Sequence, residues 1–80
     1  LKELILYYFP QCPYCKKVLN FIEKNNLNNS FILKNIREDP EARKELISIG
    51  GKEQVPCLFI DGNPLYESAD IINWLEENLL

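Results

Sequence analysis

Leu4-Ile5-Leu6-Tyr7-Tyr8-Phe9-Pro10-Gln11-Cys12-Pro13-Tyr14-Cys15 runs from an unbroken apolar stretch into a Cys-x-x-Cys that opens a segment of helical spacing. The apolar run from Leu4 to Tyr8 is of strand length and reads as a strand covered on both faces. Pro13 fits the first turn of a helix, because its missing N–H would have no intrahelical partner there. Cys12 then stands at the helix cap and Cys15 one turn inside. Residues three apart share a helix face, and one turn brings their Cα atoms to about the 5.5 Å that a disulfide prefers. The pair can open and close with little backbone movement, which marks it as a redox site.

Outward from this stretch, strand and helix patterns alternate. Cys15, Val18, Leu19 and Ile22 make one face of a helix from Pro13 to Asn25, with Lys16, Lys17, Asn20, Glu23 and Lys24 opposite. Asn25, Asn26, Asn28 and Asn29 tolerate left-handed geometry and end that helix. Phe31 to Ile36 reads as a second strand, parallel to the first because a helix-length crossover joins them. Asp39-Pro40 starts a second helix, whose inward stripe is expected at Ala42, Leu46 and Ile49 and which Gly50-Gly51 stops. Cys57 to Ile60 is a third strand. Asp61-Gly62 favours a tight hairpin turn, so Pro64-Leu65-Tyr66 returns antiparallel at an edge, where a missing donor is tolerated. Ser68 is expected to cap a last helix with Ile71, Ile72, Leu75 and Leu79 inward and Trp74 partly covering the sheet. The order βαβαββα is an α/β fold, a four-stranded mixed sheet flanked by three helices. Without repeats, low-complexity tracts or a long linker, residues 1–80 are expected to form a single domain.

Composition narrows the function. The 80 residues are 46% hydrophobic and 26% charged, as in an ordinary globular monomer. A formal charge of −3 offers phosphate backbones nothing, so nucleic acid is not expected as a partner. No apolar stretch nears the roughly 20 residues of a membrane span, and no signal-peptide pattern precedes the first strand; the expected location is the cytoplasm, with no membrane partner. Three cysteines, two of them in one Cys-x-x-Cys, argue against a secreted disulfide framework. With no histidine in the chain, a zinc site would have to recruit Cys57 and carboxylates, so neither a metal nor a bound cofactor is expected.

The attacking species in thiol chemistry is the thiolate, and a free cysteine with a pKa of about 8.5 is only a few per cent ionised at neutral pH. At a helix start, the orphan N–H groups of Tyr14 and Cys15 can point at the Cys12 sulfur. The helix dipole adds at most about 2 kcal/mol, and Lys16 or Lys17 adds to the field. Cys12 is therefore the expected nucleophile and Cys15, facing the sheet, the resolving thiol. Cys57 is either a small core residue or a third redox thiol. Ser68 is either an ordinary cap or part of a carboxylate site, since capping and anion binding use the same geometry.

Cys12-Pro13-Tyr14-Cys15, Val55-Pro56 leading into a strand, Asp61-Gly62 and a capped final helix together resemble a glutaredoxin of the thioredoxin fold, over nearly the whole chain. The resemblance implies a thiol–disulfide oxidoreductase that reduces protein disulfides or glutathione mixed disulfides. Glutathione would be its co-substrate, and disulfide-containing or glutathionylated proteins its partners. It also implies a cis peptide before Pro56, beside the nucleophile, with the Val55 N–H and C=O free to pair with a substrate cysteine as an added strand would. Tyr14 would wall one side of that groove. Glu67-Ser68 opening a helix is similar to the amino-terminal domain of glutathione S-transferases, where the equivalent pair receives the γ-glutamyl end.

The chain departs from the glutaredoxin pattern at two places. Phe9 stands where a lysine, three residues before the first cysteine, often pairs with a carboxylate of glutathione. Tyr66-Glu67-Ser68-Ala69-Asp70 stands where Gly-Gly and a polar-Asp pair often precede the last helix. An exposed ion pair contributes about 0–1 kcal/mol, so Phe9 weakens glutathione binding without excluding it. Two other functions are compatible with the same residues: a dithiol carrier reduced by a thioredoxin-reductase-type enzyme, and a binding module in which Cys12 thiolates of two chains hold an iron–sulfur cluster with external thiols.

Overall fold

The structure, a computed structural model, describes residues 2–80. Strand β1 (Leu4–Tyr8) leads into helix α1 (Pro13–Lys24), and one turn of 3-10 helix at Asn28–Ser30 precedes β2 (Ile32–Asn35). Helix α2 (Pro40–Gly50), the hairpin of β3 (Cys57–Ile60) and β4 (Asn63–Tyr66), and helix α3 (Ser68–Leu79) follow. The sheet runs β2-β1-β3-β4, with β1 parallel to β2, and β3 antiparallel to both β1 and β4. This is the thioredoxin-like α/β arrangement that the element order implies.

The unbroken apolar runs are explained by two cores. Side chains alternate across a strand. Leu4, Leu6 and Leu58 enter one core with Val18 and Ile22 of α1 and Ile71 and Leu75 of α3. Tyr7, Cys57 and Phe59 enter the other with Ala42 and Leu46 of α2. In that second core the Tyr7 and Phe59 rings lie 4.6 Å apart at a tilt of 54°. The Tyr7 hydroxyl donates to Glu45 Oε1 at 3.1 Å, and Lys34 Nζ donates to the same oxygen at 2.8 Å. Lys34 holds the Glu45 carboxyl below the usual carboxylate range, while burial pushes the Tyr7 phenol up.

Turn chemistry sets the boundaries. Helix α1 ends at Lys24, one residue before the expected Asn25, which caps it with its Nδ2 donating to the Phe21 carbonyl at 2.9 Å, and Asn26 takes φ 57°. Asp39 Oδ1 accepts the Glu41 and Ala42 amides at 3.0 and 3.3 Å, as an N-cap should. Asp61 and Gly62 both have positive φ, 49° and 86°, the two-residue turn that matches strand twist in a hairpin. The Glu3 amide donates to Asp61 Oδ1 at 2.7 Å and the Asp61 amide to the Glu3 carbonyl at 2.9 Å, which ties the hairpin to the start of β1. Among the described residues no helix is long and apolar enough to cross a membrane.

Two expectations are corrected. Ile49 is 58% exposed, because α2 lays down the track Ala42, Leu46, Gly50 at a spacing of four, and the glycine takes the inward place instead. Ser68 does not cap α3: the cap position is Glu67, whose side chain makes no capping bond, and Ser68 is the first helical residue. Strand β2 is also shorter than Phe31 to Ile36 by one residue at each end.

Gly50 is close to obligatory for a packing reason. A Cβ there would land on the Tyr66 hydroxyl, which is buried with no hydrogen-bond partner. Gly50→Ala is expected to destabilise the fold by about 1–3 kcal/mol through overpacking. Tyr66→Phe alone should be neutral or stabilising, since it removes an unsatisfied hydroxyl. Urea unfolding of the single and double variants checks this: the double variant should recover most of the loss, and simple additivity would contradict the contact.

Candidate active site

The sheet register brings four chain segments to one end of the molecule. Tyr7 pairs with Cys57, and Cys57 with Tyr66. The turn after β1, the loop before β3 and the segment after β4 therefore share that end. Strand β2 also ends there, because it runs parallel to β1 with Tyr8 opposite Asn35. In open α/β sheets this is where ligands bind.

Cys12 is the N-cap of α1, in extended geometry, and its Sγ accepts the Cys15 N–H at 3.3 Å. Of the two amides expected to reach the sulfur, that of Cys15 does. The Cys12 N–H donates to the Phe9 carbonyl at 3.2 Å, which closes the turn. The Val55-Pro56 peptide is cis, and the Cys12 thiol faces the Val55 carbonyl oxygen at 4.0 Å. The Val55 N–H has no hydrogen-bond partner among the described residues.

Exposure separates the three thiols. Cys12 retains 7% of its surface, whereas Cys15 and Cys57 retain none. Burial pushes the Cys15 thiol up to about 12 and the Cys57 thiol up to about 11. Cys57 packs in the α2-side core with Tyr7, Ile36 and Phe59, the simpler of its two sequence readings.

A groove of about 580 Å³ brings together Tyr14, Val55, Pro56, Glu67 and Ser68, the binding residues singled out from sequence. It adds three others, Lys17, Gln54 and Ala69. Lys17 follows Tyr14 by three residues on α1, and its ammonium sits 5.5 Å from the centroid of that ring. Gln54 directly precedes Val55-Pro56, and its Nε2 donates to Glu67 Oε1 at 2.9 Å. That adjacency was the available signal for Gln54; for Lys17 it was the three-residue step from Tyr14. Cys12 adjoins this groove through Val55 rather than lining it. A second concavity of about 460 Å³, against Trp74 and Leu79 at the far end of the sheet, holds no thiol.

Glu67 occupies φ 73°, ψ 122°, a conformation that favours glycine. A side chain there costs about 1–3 kcal/mol. The position coincides with the Gly-Gly of the glutaredoxin pattern, and the backbone explains that pattern's residue type.

The glutaredoxin family model matches residues 4–65. The chain is 31% identical over 74 residues to a glutaredoxin-like 8.6 kDa protein in the rubredoxin operon of Clostridium pasteurianum, over 90% of this chain and 96% of that one. It is 31% identical over 80 residues to glutaredoxin 1 of Rickettsia prowazekii (strain Madrid E), over 100% of this chain and 84% of that protein. Its structure is similar to a glutathione transferase family member from Pseudomonas fluorescens Pf-5 with bound glutathione, at a TM-score of 0.81 and 26% identity, over 98% of this chain and 39% of that chain.

Two measurements follow from the geometry. Iodoacetamide applied briefly to the reduced native chain is expected to label Cys12 alone, and all three cysteines in denaturant, with the sites read by mass spectrometry. Native labelling of Cys57 as fast as Cys12 would contradict the burial. Glu67→Gly should raise the melting temperature by several degrees, the equivalent of about 1 kcal/mol in a domain of this size; an unchanged or lower value would place the strain elsewhere.

Proposed function

The chain belongs to the glutaredoxin family, and we propose that it reduces glutathione mixed disulfides and protein disulfides at the expense of glutathione, with Cys12 as nucleophile and Cys15 as resolving thiol. The coarser activity, thiol–disulfide exchange of the glutaredoxin type, follows from the family and the fold. The observation that carries the finer reading is the contrast within one helical turn. The Cys12 sulfur has an amide donor and some exposure, while Cys15 is sealed in.

The Cys12 thiolate attacks the glutathione sulfur of a mixed disulfide, and the partner protein leaves as a thiol after taking a proton from solvent. Cys12 is then joined to glutathione. A second glutathione thiolate attacks the glutathione-side sulfur, which gives glutathione disulfide and restores Cys12. Alternatively the Cys15 thiol loses its proton and attacks the Cys12 sulfur, so that glutathione leaves reduced and a Cys12–Cys15 disulfide forms. Two further glutathione molecules reduce that disulfide and become oxidised.

The groove suits the tripeptide. The unpartnered Val55 N–H, and the Val55 C=O that faces only the Cys12 thiol, can pair with the substrate cysteine backbone. Glu67, held by Gln54, can take the γ-glutamyl ammonium, and the first amides of α3 at Ser68 the neighbouring carboxylate. Tyr14 walls the groove. A reducing compartment such as the cytoplasm suits a dithiol cycle of this kind.

Cys12→Ser is expected to reduce the rate on a glutathionylated peptide to below about 1% of wild type, since the attacking sulfur is gone. Cys15→Ser should keep that rate within about threefold, yet lose reduction of a protein disulfide that proceeds through the dithiol. The assays are run with either glutathione or a thioredoxin reductase as electron source. Equal loss in both assays contradicts the division of roles, and turnover with the reductase alone contradicts glutathione dependence.

A further inference from the structure

Strand β2 is an edge of the sheet: among the described residues only β1 pairs with it. The Ile36 N–H donates to the Tyr8 carbonyl and Tyr8 lies opposite Asn35, so in this parallel ladder Lys34 turns its backbone groups toward β1, while Phe31, Leu33 and Asn35 turn theirs outward. Two of those outward groups are already engaged. The Phe31 N–H donates to the Asn28 carbonyl at 3.5 Å, and the Asn35 carbonyl accepts the Glu38 and Asp39 amides at 3.2 and 3.0 Å. The edge is left with two donors, the N–H groups of Leu33 and Asn35, and two acceptors, the C=O groups of Phe31 and Leu33. Edge strands are commonly blunted by proline or by a lysine reaching into solvent. The opposite edge, β4, has Pro64. Strand β2 instead carries Ile32 and Leu33, 49% and 43% exposed on opposite faces, and its lysine is tied to Glu45 at 2.8 Å. With both side chains this exposed, neither α1 nor α2 overhangs the edge.

We propose that β2 is a self-association edge, which pairs antiparallel with β2 of a second copy of this chain about Leu33 and joins the two sheets across a two-fold axis. In that register Leu33 faces Leu33 of the second copy, and Phe31 faces Asn35. The two Leu33 residues exchange N–H and C=O bonds, and each Asn35 N–H meets a Phe31 C=O. The one bond the ladder would otherwise add, from the Phe31 N–H to an Asn35 C=O, involves the two groups that the chain has already satisfied internally. A shift of two residues either way leaves half of the outward groups unpaired, so the edge is complementary to itself in this register alone. The side chains agree with it. Ile32 falls opposite Lys34 of the second copy, aliphatic surface against lysine stem, and no like charges are opposed. An isologous contact closes at two chains, and Pro64 keeps the other edge from extending the sheet. Strand β2 lies across β1 from the β3–β4 hairpin that borders the groove, so pairing leaves the groove open in both copies. The proposal does not depend on the glutathione reading.

Sedimentation equilibrium of the reduced full chain, from about 10 µM to about 1 mM, reads the association; the average mass is expected to approach that of two chains at the top of the range. Amide exchange followed residue by residue reads the register. Between dilute and concentrated samples the Leu33 and Asn35 amides should slow at least about threefold, while the Lys34 amide, bonded to β1 throughout, should not change. Leu33→Pro removes an outward donor that β1 does not use and is expected to weaken association at least about tenfold. Ile32→Lys and Ile32→Glu remove the same apolar surface, yet the glutamate variant should associate about tenfold more tightly than the lysine variant, because Lys34 of the second copy stands opposite. Thiol–disulfide exchange per chain, assayed dilute, should stay within about twofold in every variant, which shows that each one folds. A mass of one chain throughout leaves the edge to a strand of some other protein and overturns the proposal. So does a mass beyond two chains, association that leaves the Leu33 and Asn35 amides unprotected, or equal association of the two Ile32 variants, and none of these outcomes bears on the use of glutathione.

Discussion

One row of the sheet, Lys34 beside Tyr7 beside Cys57 beside Tyr66, fixes everything the site is made of. Each strand leaves or enters the sheet close to this row, so the turn bearing Cys12, the segment after β2, the Val55-Pro56 loop and the start of α3 are neighbours by register. A slip of one residue between β1 and β3 would send Cys57 and Phe59 to the wrong face and move Pro56 away from the turn that carries Cys12. The row is held by burial on both sides. Tyr7, 2% exposed, is clamped by the Phe59 ring and by Glu45, while Leu6 and Leu58 are sealed under α1 and α3. The cores thus position the chemistry as well as stabilise the fold.

Three cysteines in one small fold differ because their surroundings do. A thiolate needs donors or water, and desolvation disfavours the anion. Cys15 and Cys57 have lost their exposure, and their thiols are pushed up accordingly. Below such a pKa the thiolate fraction grows tenfold for each unit of pH, so the reactivity of either buried thiol rises as the solution becomes more alkaline. Cys12 differs in geometry: its sulfur occupies the place of a capping oxygen and accepts the Cys15 N–H.

Much of this was legible in sequence wherever a local rule governed. The apolar runs of β1 and β3, Pro13 at a helix start, Asp39-Pro40 and Asp61-Gly62 each announce their geometry within a few residues, and the structure bears them out. What local rules could not reach was three-dimensional adjacency. Ile49 was expected inward because a three-residue step fits a helix as well as a four-residue one, and only the approach of Tyr66 to Gly50 decides between them. Ser68 has the right chemistry for a cap, but the backbone turns one residue earlier, at a glutamate no cap preference would select. Lys17 belongs to a solvated face by composition and to the groove by its place over Tyr14. The Gln54–Glu67 and Arg37–Phe9 contacts were not legible, because only the fold sets those residues beside partners far away in the chain.

The charged groups at this end of the molecule share a second property: each is held before any ligand arrives. Lys17 rests on Tyr14 and Arg37 on Phe9, while Gln54 fixes the Glu67 carboxylate. Freezing a long side chain on binding costs up to about 2 kcal/mol of rotamer freedom, comparable with what an exposed ion pair returns. A cation already seated on a ring has less of that freedom left to lose. The same reasoning accounts for a glutamate tolerated at a backbone position suited to glycine. The conformational cost at Glu67 is met once, in folding, and the carboxylate is held in the groove by Gln54. A net charge of −3 spread over the whole chain says little about the field at this one end. At physiological salt the fields of distant surface charges are damped beyond about 8 Å, and the groups that remain effective are those the sheet register has gathered around Cys12.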